Sequence, residues 1–387
     1  MKINQVYEFV NEAQKEILGQ KAIDVNQDLS NIVDVGTAIE NIYADNKGVD
    51  AYVKAIANRI GKMLFVDRVY RGALPKVLKD SWEFGSIIGK IQAELLDAQE
   101  NETWELVQGA SYDPYVVNLP VVSSKFWNKM VTFEVDITLP TEQVKQSFAS
   151  ADEMMRFMSM LETMVNNSME LKIESLTRAC IANFILATAN ETGTGTPMYI
   201  SLLSDYNTIN GGTPLTADKA LLDADFLRYA TGVMLEVKSH LKEYSTLYNM
   251  GGKARHTPAD LLHVVVNDVF ASRVKTHLQS NTYHDELVQL PNYEEVGFWQ
   301  GTGTGGTIAD RTKVAGKYAD ADGVAQDASV NNVVAIMFDH DALGVLQPKR
   351  RVTTAYNPKA EFYNNFHKWE SRYFNDFNEN FVIFTLN

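Results

Sequence analysis

Gly301, Gly303 and Gly306 have the spacing of a dinucleotide-binding loop, in which glycines let the backbone approach a pyrophosphate seated at a helix N-terminus. That chemistry needs a strand leading in and an apolar-periodic helix leading out, and neither flank has that pattern. Gly251-Gly252-Lys253 lacks the first glycine and the following Ser or Thr of a phosphate-cradling loop. Asp320 to Gly323 has the look of a calcium loop, but Tyr318 stands at the first ligand position and Ser329 at that of the bidentate Glu. His340 lies between Asp339 and Asp341 with no second His at ligand spacing nearby, which favours a turn at a strand end over a metal ligand. Cys180 falls on an apolar stripe, where a thiol is a small hydrophobe, not a nucleophile. No Gly-x-Ser-x-Gly elbow is present. The expectation is a non-enzymatic protein without cofactor or metal. One basic cluster remains, Lys349-Arg350-Arg351, which reads either as a solvated turn or as ion-pairing groups for an acidic neighbour.

The dominant element that must position anything else is Ser150 to Ala189. Ser150 and Glu153 have capping-box spacing. Behind them Met154, Phe157, Met158, Leu161, Met164, Val165, Met169, Ile173, Leu176, Cys180 and Phe184 recur at three- and four-residue steps, which predicts one amphipathic helix running to Gly193. At 1.5 Å per residue it is about 60 Å long, far above the average for a compact domain.

Before it, Val6 to Ile17, Ile32 to Ile42 and Val49 to Ile60 predict three short helices. From Phe84 the period becomes two, with Ile87, Ile91, Ala93 and Leu95 alternating with Ser86, Lys90, Gln92 and Glu94. A polar, acidic span follows from Asp97 through Glu105. Val121 to Leu139 is again extended, with Phe133, Val135, Ile137 and Leu139 on one face. The two extended stretches predict a long hairpin, which is marginal alone and needs another surface. After the long helix, Ala224 to Leu241 predicts a helix, Leu261 to Val266 a buried strand, and Asn267 the cap of a helix with Val269, Phe270, Val274 and Leu278. Gly301 to Ser329 reads as a surface loop, Val333 to Phe338 as a central strand and Phe381 to Leu386 as a closing one. Helices and strands mix without βαβ regularity, so the class is α+β.

With 387 residues the chain is long enough for two or three cores. Lys plus Arg is 35 and Asp plus Glu is 49, a balance of −14 that argues against an electrostatic grip on nucleic acid. No apolar run is long enough for a bilayer, and the first residues lack a secretory pattern. A single Cys suits a reducing cytoplasm.

The order of parts resembles the major capsid proteins of tailed double-stranded DNA bacteriophages, which have the Hong Kong 97 fold. The likeness is nearest to the small short-tailed phages of the phi-twenty-nine type. It is carried by Ser124-Lys-Phe-Trp-Asn-Lys-Met through Phe148, by Val334-Ala-Ile-Met-Phe-Asp-His-Asp-Ala-Leu, and by Asn357-Pro358, Trp369 and Asn380 to Phe384. The resemblance implies an N-terminal arm and lead-in over 1–80, an extended β-hairpin loop over 81–139, a peripheral domain with spine helix over 140–195, an axial domain over 196–331, and return strands of the peripheral domain over 332–387. It implies a subunit that self-assembles through hexamers and pentamers into an icosahedral or prolate head shell. The shell encloses packaged DNA without reading its sequence, and its virion is made in the bacterial host cytoplasm. The region before the extended loop is too short for both an arm and a cleaved scaffolding segment, so a separate scaffolding protein is implied, together with a portal protein and no membrane. A nanocompartment shell shares the fold and is the alternative, with a nucleotide-binding enzyme a distant third. The basic cluster Lys349, Arg350 and Arg351 is expected to meet acidic groups of an adjacent subunit, Glu100, Glu102 and Glu105 being the candidates.

Overall fold

A computed structural model describes residues 7, 10–15, 23–26, 30–41, 74, 77–79, 87–96, 98, 100–101, 104, 107–140, 151–193, 195–279, 293–299, 311–319, 324–346 and 349–387. In chain order the elements are α1 (Ile32–Asn41), β1 (Leu78–Lys79), β2 (Ile88–Ala93), β3 (Val122–Trp127), β4 (Met130–Pro140), α2 (Ala151–Glu191), β5 (Tyr199–Ser201), α3 (Leu202–Asn210), α4 (Ala217–Ala220) and α5 (Ala224–His240). There follow β6 (Leu262–Asn267), α6 (Asp268–Gln279), β7 (Glu294–Val296), β8 (Val314–Ala319), β9 (Ala325–Val330), β10 (Val333–Asp339), β11 (Leu343–Leu346), β12 (Lys349–Asn357), β13 (Phe362–Asn375) and β14 (Phe381–Thr385). They form two compact units. One comprises Met1–Pro75, Met130–Ser175 and Leu346–Arg372, the other Lys76–Lys129, Leu176–Val345 and Tyr373–Asn387.

In the first unit β13 pairs antiparallel with β4 on one side and β12 on the other. The alternation in β4 does bury one face, most deeply at Ile137 and Leu139. Phe133 is the register partner of Trp369 and stacks on it with centroids 5.6 Å apart. The same face of β13 buries Asn365, His367 and Ser371 beside Tyr363 and Trp369, and Asn365, His367 and Ser371 are each hydrogen-bonded. Thr354 Oγ1 donates to Asn365 Oδ1 at 2.9 Å, Arg350 Nη2 to His367 Nδ1 at 2.5 Å, and Ser371 Oγ to the Leu346 carbonyl at 2.8 Å.

The second unit is built on a sheet of order β5-β14-β10-β6-β7. β6, β10 and β14 are buried at every position, so both faces of the sheet are covered. Phe226, Leu227, Ala230 and Met234 of α5 and Phe270, Ala271 and Val274 of α6 belong to the same core. Asp223 caps α5, its Oδ1 accepting from the Phe226 amide at 2.8 Å, and Asn267 caps α6 through the Val269 amide at 3.1 Å.

The long helix is present as α2. Its buried stripe runs Leu161, Val165, Met169, Ile173, Thr177, Cys180 and Phe184, and from Cys180 to Thr188 nearly every side chain is buried. Met164, expected on the stripe, is exposed: the buried side chains step by four from Leu161 to Thr177, and Met164, one residue before Val165, lies off that line. Gly193, at φ +76°, takes the left-handed conformation that ends the helix. Ser150, the expected cap, lies outside the described residues, as do the helix expected over Val49 to Ile60 and the loop Gly301 to Gly306.

Two expectations need correction. The hairpin does not run to Leu139. β2 pairs with β3 from Ile88–Trp127 to Ala93–Val122, and β4 leaves to pair with β13. Period-two alternation marks a strand but does not name its partner, and the aromatic face of β13 offers β4 a better one. The stretch expected to be a loop up to Ser329 contains the antiparallel pair β8–β9. Only Val314 and Tyr318 are buried there, so small and polar residues hide the strand signal.

Candidate interaction surface

The β2–β3 hairpin is turned the opposite way from the ordinary rule. In β2 the residues facing its own unit are Ile88, Lys90 and Gln92, and in β3 they are Ser123, Lys125 and Trp127. The face turned to solvent carries Ile91, Ala93, Val122 and Phe126, with Ile91 73% and Phe126 67% exposed. Phe126 lies over its register partner Gly89, where an added Cβ would stand 3.2 Å from the ring, so the glycine makes room for the aromatic. Residues 107–121, which lead from the span beyond β2 into β3, are exposed throughout. They include Val107, Tyr115, Val116, Val117 and Leu119. An apolar strand face and an apolar span left in water together mark a protein–protein surface.

The inward face is held by charge. Lys90 Nζ lies 3.0 Å from Asp376 Oδ2 and 2.6 Å from Glu379 Oε1, and Lys125 Nζ lies 2.7 Å from Asp376 Oδ1. Gln92 Nε2 donates to Glu379, while Arg255 Nη2 donates to Gln92 Oε1 at 3.1 Å. Lys253 pairs with Glu94, and Trp127 packs on Phe374 with centroids 5.3 Å apart. Asp376 and Glu379 are both buried. Burial pushes the Asp376 carboxyl up, but Lys125, Lys90 and the Asn378 amide together hold it below the usual carboxylate value. Sequence reasoning does not single out Asp376, Glu379 or Arg255 as partners of the hairpin. The available signal was the alternation of Lys90 and Gln92 with apolar neighbours, which shows two faces without saying which one is inside.

Arg350 is buried in its own chain, its guanidinium bonded to His367 and 5.5 Å from the Trp369 ring. Within the subunit the Arg350 guanidinium thus has His367 as its partner. The physical reason is strand alternation: in β12 Arg350, Val352 and Thr354 turn inward and Arg351 outward. Arg351 is exposed and lies 2.5 Å from Glu370. Glu100 is exposed, and Glu102 and Glu105 lie outside the described residues. The structure does not bring Glu100 to the basic cluster by any described contact.

His340 sits in the turn after β10, as expected. Asp339 accepts from Thr257 Oγ1 at 2.7 Å and from the Asp341 amide at 2.8 Å, and His340 Nδ1 lies 2.8 Å from His263 Nε2. Among the described residues no group of three or more His, Cys, Asp or Glu could hold a metal. Gly252, at φ +59°, and Asn249, bonded to both the Lys253 amide and carbonyl, close a structural turn around Lys253. Cys180 is buried with its Sγ 2.8 Å from Asn375 Oδ1, and burial pushes the thiol up to about 12. No described helix is long and apolar enough to cross a membrane.

A family model described as Phi29-like phage major capsid protein matches residues 10–385. Among solved structures, a chain from the capsid of Staphylococcus phage Andhra aligns with TM-score 0.52 at 12% identity, covering 83% of this chain and 87% of that one. A chain from a structure of native bacteriophage P68 aligns with TM-score 0.49 at 11% identity, covering 83% and 86%. No curated protein matches in sequence. At such identity the structural likeness speaks for the fold, which is the Hong Kong 97 fold, and the family model for the role.

Proposed function

Since the chain belongs to the Phi29-like phage major capsid protein family and builds a head shell from copies of itself, we propose that the β2–β3 hairpin and residues 94–121 lie across a neighbouring copy and hold the shell together. The observation that supports this is the inverted hairpin, with charges inward and Ile91, Val122 and Phe126 outward. Burying one side chain of that size contributes roughly 1.5–3 kcal/mol, and a shell repeats the contact at every joint. Deleting residues 97–118, or replacing Phe126→Asp, should leave a soluble subunit that forms no shells in electron micrographs. Shells of normal size and stability from either variant would refute the reading.

The remaining parts of the reading follow from the family. The division into arm, extended loop, spine-bearing peripheral domain and axial domain is proposed for this chain, with the extended loop ending near Lys129. Assembly is directed by a separate scaffolding protein and begins at a portal protein. The subunit is made in the host cytoplasm and has no catalytic activity. The wall faces the packaged DNA without reading it, which suits a net charge of −14. Like-charged copies repel unless opposite charges meet at the joints. Lys349 and Arg351, with Glu100, Glu102 and Glu105, are the proposed meeting groups. Charge reversal at Arg351 should then give malformed shells from a normally folded subunit, and normal shells would end that part of the proposal.

A further inference from the structure

Lys90 and Lys125 are register partners, directly opposite each other on β2 and β3. Like charges at such a position destabilise a strand pair. A two-stranded hairpin is marginal even without that handicap, and here the outward apolar face gains nothing from its own subunit. Asp376 is the acid that reaches both lysines. The Asp376 carboxylate is fully buried and divides its two oxygens between the lysines, Oδ2 to Lys90 at 3.0 Å and Oδ1 to Lys125 at 2.7 Å. It is itself fixed. Its amide donates to the Ala342 carbonyl at 2.6 Å, and Oδ1 accepts from the Asn378 amide at 3.1 Å. Glu379 supports the same lysine from the next turn of chain, 2.6 Å from Lys90 Nζ.

We infer that Asp376 is the positioning residue of the hairpin: it pins two opposed lysines, and so sets the register and direction in which the apolar face is presented to a neighbouring copy. The inference rests on the proposed role of the hairpin in assembly. Its physical advantage is preorganisation, since a hairpin already aimed loses less freedom when it docks. The lysines supply the repulsion that makes the hairpin depend on the pin, so an unpinned hairpin does not zip on its own.

The test uses the unassembled full chain and hydrogen exchange at the β2 and β3 amides, Ile88–Ala93 and Val122–Trp127. Asp376→Asn should raise exchange there about 10- to 100-fold, the range for losing charge-assisted hydrogen bonds. Exchange in β6 and β10 should stay unchanged. Asp376→Glu should recover part of the protection. If Asp376→Asn fails to fold, Lys125→Met serves instead, because that lysine is partly exposed and the buried Asp376 keeps Lys90. It should loosen the hairpin measurably but less than about tenfold, and hairpin exchange in Lys125→Met that is unchanged or slower would overturn the pin. Where both fold, the double variant should be no looser than Asp376→Asn alone, the signature of one shared interaction. Unchanged exchange in the hairpin of Asp376→Asn, or strictly additive effects of the two substitutions, would overturn the pin. A loosened hairpin that still builds normal shells would leave the pin standing and sink the assembly role.

Discussion

Acid should weaken the subunit through His367, and the size of the effect follows from its surroundings. His367 is buried on the inward face of β13, its Nδ1 accepts from Arg350, and its ring stacks 6.1 Å from Trp369. Burial, then the neighbouring guanidinium, lower it from 6.5 to about 4. The folded state therefore holds the ring neutral where the unfolded chain would protonate it. For a group depressed in this way the stabilisation is complete above pH 6.5, falls as pH drops toward 4, and is gone below. A shift of that size corresponds to about 3 kcal/mol at most. His340 is also depressed, first by burial and then by Lys79, and titrates from the same starting value, so a variant must isolate His367. His367→Asn keeps an acceptor near the position of Nδ1 and removes the titration. Urea unfolding of the unassembled subunit, followed by tryptophan fluorescence from pH 7 to pH 4, should show the native chain losing up to about 3 kcal/mol more than the variant. The Asp376 carboxyl does not confuse the reading, since its contribution is lost only as pH falls below 3.8. Parallel loss in the two proteins, or no loss in the native one, would refute the account of the Arg350–His367 pair.

Other outcomes are as definite. Gly344→Ala places a Cβ 2.8 Å from Phe374 Cε1 and 2.9 Å from two carbons of Lys79, so it should cost about 1–3 kcal/mol in an unfolding midpoint. Phe184→Ala removes a ring stacked on Phe377 at 4.5 Å and edge-on to Phe381 at 4.6 Å, and should cost about 3–5 kcal/mol in a thermal melt. Cys180, pushed up to about 12, should resist iodoacetamide in the native subunit and be labelled only after urea, as read by intact mass.

Elements whose residues decide their own fate were legible in the chain. α2 announced itself by period, and β10 and β14 by continuous apolar runs such as Val333 to Phe338. Where a strand's meaning depends on a distant partner, the pattern was silent. Ile91 and Lys90 define two faces of β2, but what turns Lys90 inward is Asp376 and Glu379, far away in sequence. Alternation predicts β4 as a strand but not its neighbour, because the pattern is the same beside β3 or β13. In sequence, Arg350 belongs with Lys349 and Arg351 to one basic cluster. A strand separates adjacent residues to opposite faces, and the aromatic partner Trp369 that accepts its guanidinium could only be seen once β12 met β13.

The strand order β5-β14-β10 has a consequence for synthesis. β14 is translated after β10, yet it occupies the interior of the sheet, between β5 and the fully buried β10. Until residue 385 has left the ribosome, the edge of Val333 to Phe338 that β14 will cover stays open. At 5–20 residues per second that wait lasts roughly 3 to 10 s. An open apolar edge invites pairing with other chains, so the interval is one in which nascent subunits are exposed to one another. A polypeptide halted before Phe381 never closes its sheet and is left to aggregation or proteolysis.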